Sequence, residues 1–136
     1  MYHRVGEGKY PITNVSIEMF QQHLKAIEES GLKFIEPSKF KQHMLEGKKF
    51  ERRHILLTVD DSFKSFYQNA WPILKKKKIP FILFVNTREV GSFNYMNWNQ
   101  ILELHNNDYV EIGNHSHSHE YLVDESREII KDDILK

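Results

Sequence analysis

The sequence predicts an α/β fold built on a parallel sheet or barrel, and three observations carry that prediction. Short apolar, β-branched runs alternate with stretches of helical periodicity, in units of roughly twenty to thirty residues. Two of the runs, Ile55-Leu56-Leu57-Thr58-Val59 and Tyr109-Val110-Glu111-Ile112, have the largely continuous apolar character of buried parallel strands. Each is followed at once by chemistry-bearing side chains: Asp60-Asp61 after the first, Asn114-His115-Ser116-His117-Ser118-His119 after the second. The downstream ends of parallel strands share one rim, where α/β proteins place their sites. About five β/α units are visible, and periodicity does not separate an open sheet from part of a barrel.

Met1 to Val5 reads as the tail of a strand and Gly6 to Val15 as a loop. Ser16 is a candidate N-cap, with Ile17, Phe20, Leu24 and Ile27 at helical spacing until Gly31 stops the helix. Leu32 to Ile35 is a short strand. Pro37-Ser38 opens a helix carrying Phe40 and Met44, ended by Gly47. The basic stretch Lys48 to Arg53 leads into the strand that ends at Asp60. A third helix carries Phe66, Ala70, Ile73 and Leu74; Pro72 is tolerated if the regular helix begins near Asn69. Lys75 to Lys78 then form a solvated last turn that complements the helix dipole. Phe81 to Val85 is the next strand. Asn97 and Gln100 form a capping box for a helix expected to bury Trp98, Ile101 and Leu102. Asn106-Asn107-Asp108 turns into the strand that ends at Gly113, and Asp124 is expected to cap a final helix with Ile129, Ile130 and Ile134 inward.

The 136 residues suffice for one domain with a real core. Nineteen basic and nineteen acidic residues balance, so charge points neither to nucleic acid nor to an anionic membrane. Without cysteine there is neither a disulfide frame nor a thiolate ligand, and a metal must be held by imidazole and carboxylate. No run reaches membrane-spanning length, and the N-terminus lacks the layout of a signal peptide. Cytoplasm and bacterial envelope both stay open.

An acid pair after a strand is by itself compatible with a solvated turn. Leu57 to Ser62 also resembles the magnesium-binding acids of phospho-accepting receiver domains. Those carry the pair on their first strand, whereas here it follows two helices, and the later strand ends in Gly113-Asn114-His115 with no carboxylate to phosphorylate. Three histidines within five residues after a buried strand are a sharper signal. His115 and His119 are four apart, which brings two imidazoles together on one turn, while His117 projects elsewhere. With Asp61 they make a set suited to zinc, with cobalt or nickel as alternatives, better than to magnesium.

These residues resemble the NodB-homology polysaccharide deacetylases. Thr58-Val59-Asp60-Asp61-Ser62 is similar to the family's Thr-Phe-Asp-Asp-Gly motif, and His115 to His119 to its His-(Ser/Thr)-x-x-His motif. Met1 to Val5 resembles a frequent opening strand, and Glu111-Ile112-Gly113-Asn114-His115 the usual approach to the histidines. The resemblance implies a distorted (β/α) barrel of about seven strands, of which residues 1–136 supply the N-terminal portion of a single domain. It also implies a metal-dependent hydrolase of C–N bonds other than peptide bonds, removing acetyl groups from N-acetylated polysaccharide, with O-acetylated polysaccharide as the alternative. Asp61, His115 and His119 would hold the ion and Asp60 would be the catalytic base. Ser62, His117 and His3 are secondary candidates; His3 is read as a buried hydrogen-bonded side chain or as a further member of the rim.

Ser62 departs from the motif's glycine, at a cost of roughly 1 kcal/mol if the position needs positive φ. The family's later motifs, which supply an oxyanion donor, an acetyl pocket and a distal acid, are expected beyond Lys136. This stretch alone is then a weak enzyme, or a non-catalytic metal- or glycan-binding module. An unclosed barrel would also expose a strand edge through which the chain self-associates.

Overall fold

The computed structural model describes residues 1–50 and 53–136, so the middle of the basic stretch Lys48 to Arg53 lies outside the described residues. In chain order the elements are β1 (Arg4–Val5), β2 (Asn14–Val15), α1 (Ile17–Glu29), β3 (Lys33–Phe34), α2 (Pro37–Leu45), β4 (His54–Ile55) and β5 (Thr58–Asp60). A π turn (Phe66–Ala70), α3 (Trp71–Lys77), β6 (Phe81–Val85), α4 (Trp98–His105), β7 (Val110–Asn114) and α5 (Arg127–Leu135) follow, with short 3₁₀ turns at Thr87–Glu89 and Leu122–Asp124.

Among the described residues all named strands pair in parallel: β1 with β2, β3 with β4, and β5-β6-β7 as a central sheet. Asp60 lies opposite Phe84, and Val85 opposite Asn114, so the acid pair and the histidine run leave the same end of the sheet. The first strand joins this end through a bridge between Tyr2 and Val59, with Tyr2 N donating to Thr58 O at 2.9 Å and Asp60 N donating to Tyr2 O at 2.9 Å. His3 is thereby carried to the acid pair.

The core lies between this sheet and the helices. Val59, Phe81, Leu83 and Val85 meet Phe20 and Leu24 of α1, Phe66 and Ala70 of the π turn, Trp71 and Leu74 of α3, and Ile101 and Leu104 of α4. Burial of each large apolar side chain is worth roughly 1.5–3 kcal/mol relative to exposure. Gly113 has a packing reason for being glycine: a Cβ there would sit 2.5 Å from the Phe84 ring.

Several local expectations hold. Ser16 caps α1 by accepting from Met19 N, Pro37 opens α2, and Asn97 with Gln100 forms the full capping box of α4. Pro72 sits in the first turn of α3, just after the π turn in which Trp71 N reaches back to Phe66 O. A proline deep in a regular helix would lose a hydrogen bond and clash with the preceding turn; the wide turn before it avoids both.

Five expectations are corrected. The run from Ile55 to Asp60 is not one strand but two short ones, because its first part pairs with β3 and its second with β6. The loop Gly6 to Val15 ends in a short strand, β2. In α4 the buried side chains are Ile101 and Leu104, whereas Trp98 and Leu102 face outward at 58% and 54% exposure. The cap of α5 is Ser126, accepting from Ile129 N, because Asp124 is taken up in the preceding 3₁₀ turn. The buried residue of α5 is Asp133, while Ile129 and Ile134 are exposed.

Candidate metal centre

The acid loop is built where β5 ends. Asp61 and Ser62 both adopt left-handed backbone, with φ of 71° and 55°, which turns the chain sharply away from the sheet. Ser62 therefore occupies a position with the positive φ that glycine tolerates best, at a cost of roughly 1–2 kcal/mol. Its surroundings hold it there: fully buried, it donates from Oγ to Asp61 O at 2.6 Å and accepts from Met96 N at 2.9 Å. Phe63, next along, lies under the Arg4 guanidinium at 3.5 Å, with Tyr10 on the same cation at 4.4 Å.

The histidine loop leaves β7 next to it. His115 N extends the sheet ladder by donating to Val85 O at 3.0 Å. Ser116 (φ 64°) and His119 (φ 58°) are again left-handed, so the chain curls back and brings the two imidazoles to a ring separation of 4.9 Å. Non-glycine residues in this conformation are sparse in folded chains and gather at functional sites.

The two loops converge on one atom. Asp61 Oδ1 lies 3.4 Å from His115 Nε2 and 3.1 Å from His119 Nε2, and the three donor atoms fall within 4.8 Å of one another. Asp61 is only 7% exposed, and its Oδ1 is buried without a hydrogen-bond partner. A buried carboxylate oxygen so left is costly. Donors bound at 2.0–2.2 Å to a tetrahedral ion lie roughly 3.3–3.5 Å apart. The nitrogen–nitrogen–oxygen set and its two nitrogen–oxygen separations thus fit a divalent ion.

Asp60 diverges from its neighbour, as consecutive side chains leaving a strand do. Its Oδ2 lies 3.9 Å from His3 Nε2, which is also 4.0 Å from Asp61 Oδ2. His3 is therefore a member of the rim and not an interior side chain. His117 points elsewhere: its Nδ1 lies 2.8 Å from Thr87 Oγ1.

One contributor to the site escaped sequence reasoning. The Asp133 carboxylate accepts from His117 N at 3.0 Å and Ser118 N at 2.9 Å. The Ser118 hydroxyl, followed by these backbone N–H groups and the Ser116 hydroxyl, holds its pKa down to about 2. The signal in the sequence is an acid one helical turn from Ile130 and adjoining Ile134, on the face that periodicity gives to the core. Beside the histidines is an open hollow of about 530 Å³ walled by Tyr121, Leu122, Val123 and Ile134. A separate hollow of about 690 Å³ is lined by Tyr10, Lys64, Ser65 and Phe93, and none of the site residues borders it.

Comparison with known proteins gives a consistent answer. Residues 47–136 match the family model described as polysaccharide deacetylase. A poly-β-1,6-N-acetyl-D-glucosamine N-deacetylase of Staphylococcus aureus is 32% identical over 109 residues, covering 76% of this chain but 37% of that protein. The chain thus spans little more than a third of this curated relative. The solved structure of IcaB from Ammonifex degensii superposes with a TM-score of 0.77 at 30% identity, covering 86% of this chain and 51% of that one. The Streptococcus pyogenes deacetylase PplD in complex with acetate shares the fold, with a TM-score of 0.83 at 24% identity over 98% of this chain and 62% of that one. With its mixed α/β fold and its acid and histidine loops on one rim, the chain belongs to the polysaccharide deacetylase family.

Proposed function

We propose that the chain carries the metal-binding half of a deacetylase that removes acetyl groups from N-acetylated polysaccharide. The observation that carries this reading is the buried, unpartnered Asp61 Oδ1 facing the Nε2 atoms of both His115 and His119, with Asp60 alongside. Asp61, His115 and His119 would hold the ion, with zinc preferred on donor chemistry and cobalt or nickel as substitutes. When bound, such an ion polarises the acetyl carbonyl and lowers the pKa of water towards roughly 7.

Part of the remaining chemistry falls to this chain's side chains. Asp60 takes a proton from the attacking water as its oxygen bonds to the carbonyl carbon. As the C–N bond breaks, the amine nitrogen gains a proton and acetate departs. His3, whose Nε2 lies 3.9 Å from Asp60 Oδ2, flanks the base on the same rim, and the proton for the amine comes from the distal acid that the family's later motifs supply. The open hollow of about 530 Å³ lined by His115 and His119 offers room for a glycan beside the site. The name of the staphylococcal relative makes β-1,6-linked poly-N-acetylglucosamine the first substrate to try.

Residues 1–136 belong, on this reading, to the N-terminal portion of one domain that closes as a distorted (β/α) barrel. Unpaired strand edges recruit other chains, so the isolated chain is expected to self-associate along β7, which pairs with β6 on one side. Light scattering tests this directly.

The central experiment is elemental analysis of purified protein. About one divalent ion per chain is expected, lost in Asp61→Asn, His115→Ala and His119→Ala but retained in His117→Ala. Unchanged metal content in the first three would reject the assignment. Metal retention by a full-length protein that turns over no acetylated glycan would instead support a binding module.

A further inference from the structure

Asp133 has no role in the chemistry above, yet it is the buried residue of α5. An acid in that place needs a reason, because a carboxylate leaves water only for strong partners. Its partners are the backbone of the histidine loop. Oδ2 accepts from His117 N at 3.0 Å and Oδ1 from Ser118 N at 2.9 Å, and the Asp133 backbone carbonyl also accepts from His117 N at 3.2 Å. A second tie runs from Asn114 Nδ2 to Ile134 O at 3.1 Å. Of the two left-handed residues of the loop, Ser116 lies between these anchors and His119 directly follows them. Such backbone persists only where its surroundings over-determine it. On the other side the loop's carbonyls accept from backbone, Ser116 O from Thr87 N at 3.3 Å and His117 O from Arg88 N at 3.1 Å, whereas the amides of His117 and Ser118 are held by the carboxylate.

We infer that Asp133 is a positioning residue for the metal centre: by fixing the His117 and Ser118 amides, it holds the curled loop that sets His115 and His119 against Asp61. This rests on the reading that those two histidines and Asp61 hold the ion. The same contact couples α5 to the site, so a shift of that helix changes the spacing of the ligand pair. Groups one step behind metal ligands typically influence affinity 10- to 100-fold.

The test uses the full chain and zinc, with a chelator competition to measure the dissociation constant. In Asp133→Asn one acceptor oxygen becomes an NH₂ donor facing a backbone N–H. Zinc binding is expected to weaken about 10- to 100-fold, and the absorption spectrum of the cobalt-loaded protein should change as the imidazoles move. Asp132→Asn, an exposed neighbour on α5, should change neither. If Asp133→Asn melts earlier but binds zinc as wild type does, Asp133 is merely structural and the inference is overturned. Should that variant not fold, hydrogen exchange of the wild-type metal-free chain decides: the His117 and Ser118 amides should exchange as slowly as those of α5, and exchange at exposed-loop rates overturns the inference. Asp61→Asn separates the two readings. If it keeps its zinc, the ligand assignment fails; if it loses zinc while Asp133→Asn does not, only the role of Asp133 fails.

Discussion

Two adjacent aspartates have different surroundings, and the proposed division of work between them rests on that difference. Asp61 turns into left-handed backbone and presents a buried oxygen to two imidazoles, whereas Asp60 stays on the strand and faces His3. Replacing Asp60 by asparagine in the full-length protein should therefore keep the metal and cut deacetylation by at least about 100-fold, the usual contribution of a positioned base. Amine release from acetylated glycan, measured beside metal content, checks this. Loss of metal from Asp60→Asn with retention in Asp61→Asn would mean that the two roles are exchanged. Ser62 adds a smaller point. It accepts the backbone cost that glycine would avoid, and its hydroxyl bond to Asp61 O offsets part of it.

Between elements, the approach of β7 to β6 sets where the histidines emerge. Gly113 lies opposite Phe84, and the ring occupies the space a Cβ would need. Gly113→Ala should destabilise by about 1–3 kcal/mol through overpacking, seen as a lower melting temperature. Adding Phe84→Leu, which vacates that space, should recover part of the loss. If Gly113→Ala melts like wild type, the two strands are not held as closely as this contact requires. The helix pair α3–α4 is tied differently, through Glu103: its carboxylate accepts from the Tyr67 hydroxyl, from Trp71 Nε1 at 3.1 Å and from Lys75 Nζ at 2.9 Å.

For the whole molecule, this cluster bears on acid stability. The Tyr67 hydroxyl, then Lys75 and Trp71, hold the Glu103 pKa down to about 2, below an unfolded value of about 4.3. A depressed folded pKa gives stability that is fully present above the unfolded value and is lost as pH falls through the folded one. The window is therefore about pH 4 down to 2. Glu103→Gln should be less stable than wild type at pH 6, and the gap should narrow as pH falls to 3, as followed by urea unfolding. Asp133 is depressed in the same direction and should add to the same acid limb. A gap that stays constant with pH would show that Glu103 does not supply this dependence. The group is partly exposed, so added salt should reduce the effect.

What the sequence determined by itself was local. The caps at Ser16 and Asn97, the proline at the start of α2 and the strand Phe81 to Val85 show in patterns a few residues long, so a linear reading finds them. The acid and histidine motifs were legible in the same way, as was their placement after parallel strands. Tertiary packing decided the rest. Trp98 and Leu102 carry apolar character without facing the core, because the face of α4 is chosen by what β7 and α3 leave to fill. His3 joins the rim only because Tyr2 bridges to Val59, a contact across more than fifty residues. Asp133 lies in an apolar stripe, and only the fold shows that its partners are backbone amides of the loop before it. Hydrophobic periodicity reports which side chains avoid water; it carries no information on which buried polar group finds a partner from a distant part of the chain.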